Sequence, residues 1–300
     1  MSSCPRILIL GSTGQLGQEL QRSFLHAGSV VAVGRAKADF ANPEQIAALV
    51  RENAPDIILN AAAYTAVDRA ESEPELAMTV NARTPERLAE EASRLGALLV
   101  HYSTDYVFDG SKAGPWEETD TTKPVNVYGA TKRAGEQAMT KVGGKFLIFR
   151  TSWVYGPHGK NFLLTMLRLG RERDHLEIVD DQIGAPTTSI ELADATHAIV
   201  DGVLAGKFGA TAEWSGIYHM TCGGAVSWCG FAKAIFERSG SLLGGKSPAV
   251  SPIPTSAYPT PARRPQNSVL SNEKLFTRFG LRLAPWPDAL DAALGELRKT

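Results

Sequence analysis

The chain has 300 residues, of which 43% are hydrophobic and 21% charged, and its formal net charge at pH 7 is −1. These values fit an ordinary globular protein. The near-zero charge predicts no broad electrostatic attraction to nucleic acid or to an anionic membrane. No apolar run approaches the ~20 residues of a transmembrane helix, and the first residues lack the layout of a secretion signal. We therefore expect no nucleic-acid partner, no membrane partner and a cytoplasmic location.

The three cysteines, Cys4, Cys222 and Cys229, are odd in number and have no CxxC spacing. This pattern argues against a disulfide framework and against a zinc site. A reducing compartment such as the cytoplasm agrees with it.

In the first half of the chain, short apolar runs alternate with segments of helical periodicity. Strands that are apolar on both faces are predicted at residues 7–10, 30–33, 56–62, 98–103 and 146–151. Helices are predicted at residues 15–27, 43–53, 74–95 and 128–141. Asn42 followed by Pro43 is typical of a helix start. The alternation predicts an α/β fold, a doubly wound parallel sheet of the Rossmann type, over residues 1–155.

After about Tyr155 the pattern loosens. Helices are predicted at residues 163–171, 191–204 and 227–238, and strands at 176–179 and 217–220. The proline-rich residues 251–265 predict an extended segment or a loop. We expect residues 156–187 and 216–300 to form a smaller substrate-binding lobe over the carboxyl edge of the sheet. Residues from about 188 to 215 are expected to belong to the Rossmann domain.

A glycine-rich turn follows the first predicted strand. Gly11 permits a tight turn, Gly14 lets the backbone approach a pyrophosphate, and Gly17 allows close packing of the following helix. The free N–H groups of a helix N-terminus attract an anion there. The sequence therefore predicts a dinucleotide site that includes Gly11, Thr13, Gly14, Gln15, Leu16 and Gly17.

The end of the second strand bears on which dinucleotide binds. NAD-specific folds often carry an acidic residue there for the ribose 2′-hydroxyl, but here the strand ends at Gly34-Arg35 and no acid appears before Asp39. Arg35 is suited to a 2′-phosphate, although a solvated surface charge is an equally good interpretation. We therefore favour NADPH over NADH without excluding NADH, and expect Asp39 and Phe40 to flank the adenine.

Three residues predict the chemistry. Tyr128 and Lys132 share a helix face because they are four positions apart. A nearby ammonium lowers a phenol's pKa and makes it a better proton donor to a carbonyl oxygen. The lysine can also hydrogen-bond the nicotinamide ribose, so we expect Tyr128 and Lys132 to contact the cofactor as well. Thr104 ends a predicted strand, at the same edge as the glycine turn, where its hydroxyl can bond the same oxygen. His101, inside that strand, is expected to be a packed core residue.

Taken together, these motifs resemble the extended short-chain dehydrogenases, and within them the dTDP-4-dehydrorhamnose reductases nearly end to end. The matching stretches are residues 11–17, 60–68, 71–74, 101–108, 126–129, 150–155, 181–187 and 254–261. The resemblance implies reduction of the C4 ketone of dTDP-4-dehydro-L-rhamnose to dTDP-L-rhamnose by NADPH or NADH. This sugar nucleotide is a precursor of cell-surface polysaccharide such as lipopolysaccharide.

The resemblance also implies site residues and partners. Those expected at the cofactor are Ala63, Tyr64, Thr65 and Tyr102. Those expected at the sugar are Thr104, Asp105 and Trp153. Family members often form homodimers, and magnesium has been associated with the family, but no local carboxylate cluster suggests a metal site and we assign none.

Two further features concern the substrate. Related dehydratases have Asp-Glu after the strand-end threonine, whereas this chain has Asp105-Tyr106, which favours reduction over elimination. Arg263 and Arg264 are candidates for binding a diphosphate, with a solvated basic pair as the equal alternative.

Two rival functions stay open. The first is a sugar-nucleotide epimerase or dehydratase that recycles a bound NAD. The second is a non-catalytic regulatory subunit like that of some methionine adenosyltransferases, which the presence of Thr104, Tyr128 and Lys132 disfavours.

Overall fold

The computed structural model describes residues 4–245 and 247–299. In the first half, parallel strands alternate with helices, as the apolar periodicity predicts. The elements are β1 Arg6–Leu10, α1 Gln15–Ser23, β2 Ser29–Val33, α2 Pro43–Asn53, β3 Ile57–Asn60, α3 Val67–Ala70, α4 Pro74–Met78, α5 Thr84–Leu95, β4 Leu98–Thr104, α6 Val127–Val142 and β5 Lys145–Thr151.

The second half has shorter strands and separate helices. The elements are β6 Val154–Tyr155, α7 Phe162–Glu172, β7 His175–Val179, β8 Ile183–Gly184, β9 Thr187–Thr188, α8 Ser189–Leu204, α9 Thr211–Trp214, β10 Gly216–His219, β11 Val226–Ser227, α10 Trp228–Arg238, β12 Ala249–Ile253, α11 Glu273–Phe279 and α12 Trp286–Leu297. Helices α11 and α12 lie outside the sequence-based predictions.

The main sheet has six strands in the order β10-β5-β4-β3-β1-β2, and every neighbouring pair is parallel. Alternate residues of β1 point to opposite faces: Ile7 and Ile9 join the core beneath α1 and α8, while Leu8 and Leu10 join the core beneath α2 and α5. Both faces are therefore covered. This confirms the expected doubly wound α/β sheet, whose strand ends form the ligand edge of such folds.

Strand β10 shows that the boundary between the two parts of the chain differs from the expected one. It pairs with β5, so that Gly216 lies beside Leu147 and His219 beside Arg150. The strand therefore belongs to the main sheet and not to the lobe that we expected to begin at residue 216. Its side chains are covered by the sheet's own core, since Tyr218 is buried in the same cluster as Phe149.

A third core lies among the helices of the second half. Tyr155, Leu163, Phe231 and Leu290 are each fully buried in it, which brings α7, α10 and α12 together. Beside these helices, the proline-rich segment begins as strand β12, which pairs in parallel with β7. The segment is thus extended, as its prolines predict, and continues as a loop after Ile253.

The predicted helix at residues 74–95 is interrupted. Thr79–Arg83 form a π-helical turn between α4 and α5. A π turn inserts one extra residue and is frequently found near functional sites. Here it directs the side chain of Asn81, which is completely buried, toward the loop after β3.

No helix within the described ranges is both long enough and apolar enough to cross a bilayer.

Candidate functional site

The glycine turn joins β1 to α1 with very little space. Gly11 has a φ of 79°, and a Cβ there would lie 2.7 Å from the backbone nitrogen of Ala62. A Cβ at Gly17 would lie 2.1 Å from the carbonyl oxygen of Gly11. Gly14 caps α1 without a side-chain hydrogen bond, so the helix N–H groups stay available to a ligand.

The side chains around this turn leave an open approach. Thr13 and Gly14 are exposed, and Leu16 is buried beneath the turn. The Oε1 atom of Gln15 accepts a hydrogen bond of 2.8 Å from Asn161. Asn161 caps α7, so this contact joins the turn to the lobe. The turn, the glycines and the uncapped helix start together form a cradle that fits a pyrophosphate.

At the end of β2, three predicted cofactor residues have different surroundings. Arg35 is exposed. Asp39 accepts a hydrogen bond of 3.0 Å from the backbone of Ala41, which orders the loop. The side chain of Phe40 is buried in the core beneath α2 and α5, so only its backbone is available to an adenine. If Phe40 flanks the adenine as expected, it does so only with its main-chain atoms.

The loop after β3 contains Ala63, Tyr64 and Thr65. Asn81 holds it by accepting a hydrogen bond of 2.9 Å from the Tyr64 N–H and donating one of 3.1 Å to the Tyr64 carbonyl. Its Nδ2 atom also bonds the Thr131 hydroxyl on α6 at 3.1 Å. The π turn thereby fixes the loop after β3 against the helix that carries Tyr128.

Thr104 and Tyr128 meet at the end of β4. Burial raises the pKa of the Tyr128 phenol, a hydrogen bond with the Thr104 hydroxyl partly opposes this, and the Asp105 carboxylate adds to the rise. The phenol thus keeps its proton at neutral pH. The ring of Tyr106 packs edge-on against Tyr128, with centroids 5.7 Å apart.

Asp105 is buried beside Thr104. Its Oδ1 atom accepts a hydrogen bond of 2.9 Å from the Thr104 hydroxyl. Its Oδ2 atom is buried and has no hydrogen-bond partner within residues 4–245 and 247–299. Burial raises the pKa of this carboxyl to about 6, and hydrogen bonds with the Ser268 and Thr104 side chains oppose the rise in part. An acceptor oxygen that makes no hydrogen bond of good geometry can accept one from a substrate hydroxyl.

Lys132 differs from its expected arrangement. Its Nζ atom lies 2.6 Å from the carbonyl oxygen of Tyr102 and 3.1 Å from Nε2 of His101. Burial lowers the pKa of Lys132 to about 8. The predicted lowering of the Tyr128 pKa by a neighbouring ammonium is therefore not found, because the ammonium is directed at β4. His101 is buried as expected, but it contacts Lys132 and is not merely a packing residue.

Tyr102 reaches the site through its backbone. Its phenol is buried on the opposite face of the sheet and shares a hydrogen bond of 2.8 Å with Thr196 of α8. The resemblance implied that Tyr102 lies near the cofactor. In the structure its carbonyl oxygen holds Lys132, while its side chain anchors α8.

Trp153 is engaged by a second tryptophan. Its ring stacks on that of Trp228 with centroids 3.5 Å apart and an interplanar angle of 7°. A Cβ at Gly184 would lie 2.5 Å from the ring, so the backbone of Gly184 lies close against it. Trp153 also has a positive φ of 48°, which is uncommon outside glycine. A sugar that stacks on Trp153, as the resemblance implied, would have to compete with the ring of Trp228. The sequence patterns did not reveal this contact between the two tryptophans.

Arg263 and Arg264 have separate roles. Arg264 donates two hydrogen bonds to the Asp68 carboxylate, at 3.0 Å and 2.8 Å. It is therefore already paired, which makes it a weaker diphosphate ligand than expected. The Arg263 side chain is exposed, and its carbonyl accepts a hydrogen bond of 2.8 Å from Asn126, the cap of α6.

A cavity of about 670 Å³ lies in the lobe and opens beside these residues. Its lining includes Phe162, Met166, Trp228, Tyr258 and Arg264. A smaller cavity of about 490 Å³ lies on the other side of the proline-rich loop and is lined by Asp109, Tyr258, Arg263 and Arg264 among others. The loop thus separates two cavities, and both are large enough for part of a sugar nucleotide.

No group of three or more His, Cys, Asp and Glu side chains within the described ranges is placed to hold a metal ion. Magnesium accordingly has no residues assigned to it.

Comparison with known proteins agrees with this geometry. A family model described as the RmlD substrate binding domain matches residues 5–299. The dTDP-4-dehydrorhamnose reductase of Burkholderia thailandensis is 51% identical over 296 residues and covers 97% of this chain and 99% of its own. The enzyme of the same name from Escherichia coli strain K12 is 47% identical, over 98% of each chain.

Solved structures extend the likeness. The dTDP-4-dehydrorhamnose reductase of Bacillus anthracis in complex with NADP gives a TM-score of 0.88 at 35% identity, over 98% of this chain and 99% of that one. A Thermus thermophilus UDP-glucose 4-epimerase complex with NAD gives 0.77 at 22% identity over 98% of this chain and 99% of that one, a likeness of fold alone. By its sequence along nearly its whole length, the chain belongs to the dTDP-4-dehydrorhamnose reductase family.

Proposed function

We propose that this protein reduces the C4 ketone of dTDP-4-dehydro-L-rhamnose to dTDP-L-rhamnose with NADPH or NADH. The observation that carries the proposal is the meeting of a buried, protonated Tyr128 phenol with the Thr104 hydroxyl, at the sheet edge that also holds the glycine cradle. The relatives that bear this name support it, as does the NADP-bound relative. The nicotinamide supplies the hydride when it is bound.

Each side chain has a distinct task in the reduction. The Thr104 hydroxyl, which donates to Asp105 Oδ1 in the structure, turns its proton to the carbonyl oxygen and orients it. As charge develops on that oxygen, it becomes a stronger base than the phenolate of Tyr128, so the phenol gives up its proton. Asp105 Oδ2 accepts a hydrogen bond from a sugar hydroxyl. Tyr106 stands where elimination would require a glutamate, which favours reduction over dehydration.

The rest of the substrate lies toward the lobe. Arg263, which is exposed beside the smaller cavity, is the diphosphate ligand that we favour. Arg264 supports the same loop through Asp68. Trp153 forms a wall for the sugar together with Trp228. Ala63, Tyr64 and Thr65 line the cofactor.

Replacing Tyr128 with phenylalanine tests the central role. We expect Tyr128→Phe to lower kcat by about 10²–10⁴-fold, because general acid catalysis contributes about that much, with little change in cofactor affinity. NADPH oxidation by the keto sugar nucleotide measures it. Tyr218→Phe is the control, since that phenol bonds the Trp214 carbonyl at 2.8 Å, far from the site. Full activity in Tyr128→Phe would overturn the assignment.

Arg35 governs the choice of cofactor in this proposal. A guanidinium pairs well with a 2′-phosphate, which only NADPH carries. We expect Arg35→Ala to raise the KM for NADPH about tenfold, the equivalent of ~1.4 kcal/mol, and to leave the KM for NADH unchanged. Steady-state kinetics with both cofactors make NADH the internal control. Equal effects on both would contradict the role.

We further propose a homodimer in the cytoplasm, on the basis of family resemblance. Light scattering of the purified protein tests the dimer by its mass.

A further inference from the structure

Asn161 joins the glycine turn to the lobe through a single side-chain amide. Its Oδ1 atom accepts a hydrogen bond of 3.0 Å from the backbone N–H of Leu164 and so caps α7. Its Nδ2 atom lies 2.9 Å from the carbonyl oxygen of Gly156, 3.1 Å from that of His158 and 2.8 Å from Oε1 of Gln15. The first three contacts stay within the lobe, whereas the fourth crosses to the first residue of α1.

The orientation of the Asn161 amide follows from its partners. A backbone N–H can only donate, so the N–H of Leu164 must meet the amide oxygen. A backbone carbonyl can only accept, so those of Gly156 and His158 must face the amide nitrogen. These three contacts within the lobe all require the same orientation. Because the amide nitrogen can only donate, Gln15 must meet it with its own side-chain oxygen.

The Gln15 amide is thereby oriented as well. With its oxygen held by Asn161, its Nε2 group is left to donate elsewhere, and it has no hydrogen-bond partner within residues 4–245 and 247–299. Each Cα–Cβ bond of an α-helix tilts toward the N-terminus. The side chain of Gln15 therefore leans over the free N–H groups at the start of α1. An anion that binds those groups can accept a further hydrogen bond from Nε2.

Two more contacts keep the loop before α7 against α1. Nε2 of His158 lies 3.6 Å from Oε1 of Glu19, which is one helical turn after Gln15 on the same face. Gly159 has a φ of 75°, and a Cβ there would lie 3.1 Å from Cγ of Gln15. The loop therefore packs along the Gln15 side chain.

We propose that Asn161, although it belongs to the lobe, is a positioning residue for the cofactor, because it turns the amide N–H groups of Gln15 toward the pyrophosphate. The proposal rests on the dinucleotide cofactor of the proposed function. A free glutamine amide can turn its oxygen toward an anion, and that oxygen repels it. The amide held by Asn161 presents its donors before the cofactor arrives, which is preorganisation.

The same residue lies next to the substrate side of the site. Asn161 begins α7, and the residue after it, Phe162, lines the larger cavity. A shift of the α7 start therefore moves the lining of that cavity and the partner of Gln15 together.

Asn161→Ser tests the proposal at constant charge. Serine caps a helix as well as asparagine does, but its short hydroxyl cannot span both the α7 start and Gln15. We expect the Kd for NADPH, measured by fluorescence titration without substrate, to rise about tenfold, since a hydrogen bond to a charged group is lost. The Kd for NADH should rise by the same factor, because both cofactors carry the pyrophosphate. This distinguishes the change from Arg35→Ala.

Asn272→Ser is the matched control. Asn272 precedes α11 and also joins two segments through its amide, which donates to the Thr221 carbonyl after β10 at 2.9 Å. Strand β10 is at the opposite end of the sheet from β1 and β2. We expect this variant to bind both cofactors as the native protein does.

A double-mutant cycle shows whether Asn161 acts through Gln15. Gln15→Ala should raise the Kd for NADPH about tenfold. The double variant should bind within about twofold of Gln15→Ala alone. Urea unfolding establishes that each variant is folded. Multiplied effects, or an unchanged Kd in Asn161→Ser, would overturn this proposal and leave the proposed function standing, whereas a native protein that binds neither cofactor would defeat both.

Discussion

Asp105 lies in an environment that differs strongly from that of a free side chain. Its carboxyl is buried, one oxygen has no partner among the described residues, and its pKa is raised to about 6 from 3.8. Between these two pH values the native state binds more protons than the unfolded chain. The free energy of unfolding therefore falls as pH rises through this window, and the cost of ionisation is fully present above pH 6.

Asp105→Asn should remove that cost. We expect the free energy of unfolding at pH 7.5 to increase by roughly 1–3 kcal/mol, and the decline between pH 4 and 6 to flatten. Urea unfolding across this range measures both effects. Asp56→Asn is an instructive contrast, because hydrogen bonds from Arg6 lower that carboxyl's pKa and its loss should destabilise. A steeper slope in Asp105→Asn would contradict the assignment.

Single residues were predictable where their chemistry depends on position in the sheet. Thr104 and Tyr128 follow from a strand end and a helix start, and the structure places them together. The direction of the Lys132 ammonium was not predictable, because it depends on His101, one strand residue whose surroundings the sequence does not specify. Trp228 was missed for the same reason: its contact with Trp153 joins positions 75 residues apart along the chain.

Among the elements, α1 depends closely on one glycine. Gly17 packs its helix onto the Gly11 carbonyl so closely that any side chain must displace the turn. The start of α1 then moves relative to β1, which weakens the cradle for a pyrophosphate.

Gly17→Ala tests this dependence. We expect the Kd for NADPH to rise at least about tenfold, the equivalent of ~1.4 kcal/mol, as measured by fluorescence titration. Gly295→Ala in α12 is the matched control. A Cβ there meets nothing within 4 Å, so the change should only add helix propensity, up to ~1 kcal/mol. Unchanged cofactor binding in Gly17→Ala would show that the turn tolerates the shift.

The helix predicted at residues 74–95 contains a feature that hydrophobic periodicity does not predict. Its apolar spacing predicts one continuous helix, and α4 and α5 do lie within the predicted range. The π turn at Thr79–Arg83 arises because Asn81 bonds both the Tyr64 backbone and Thr131. These tertiary hydrogen bonds have no local sequence signal.

In the whole molecule, the proline-rich loop is tied at both ends by carboxylates. Asp181 accepts hydrogen bonds from the backbone and hydroxyl of Thr255, at 2.9 Å and 2.5 Å. Asp68, from the Rossmann half, pairs with Arg264 at the other end. The loop between these anchors borders both cavities, so its position decides their shape.

Asp68→Asn should loosen one anchor. We expect amide hydrogen exchange over residues 255–264 to accelerate by about fivefold, the equivalent of ~1 kcal/mol for a partly exposed pair, and the KM for the sugar nucleotide to rise while kcat changes less. Glu44→Gln is the control, since its pair with Arg87 is exposed and lies elsewhere. Unaltered exchange would mean that Thr255 alone holds the loop.

The division of the chain into two parts was only partly visible in the sequence. Alternating strands and helices predict the Rossmann half because each strand there is followed by its covering helix. Strand β10 was assigned to the lobe, since 64 residues of looser pattern separate it from β5. Strand β10 pairs with β5 because β5 has a free edge in the sheet. The order of the elements along the chain does not reveal that edge.

That late edge strand has a consequence for synthesis. Until residues 216–219 leave the ribosome, β5 has an unpaired side whose central residues, Leu147, Ile148 and Phe149, are wholly buried in the finished protein. Unprotected apolar edges recruit strands from other chains. A nascent or proteolysed chain that stops near residue 155 therefore exposes an apolar strand edge that can pair with other chains. We expect the need for chaperones to be greatest during the translation of the 60 or so residues that precede β10.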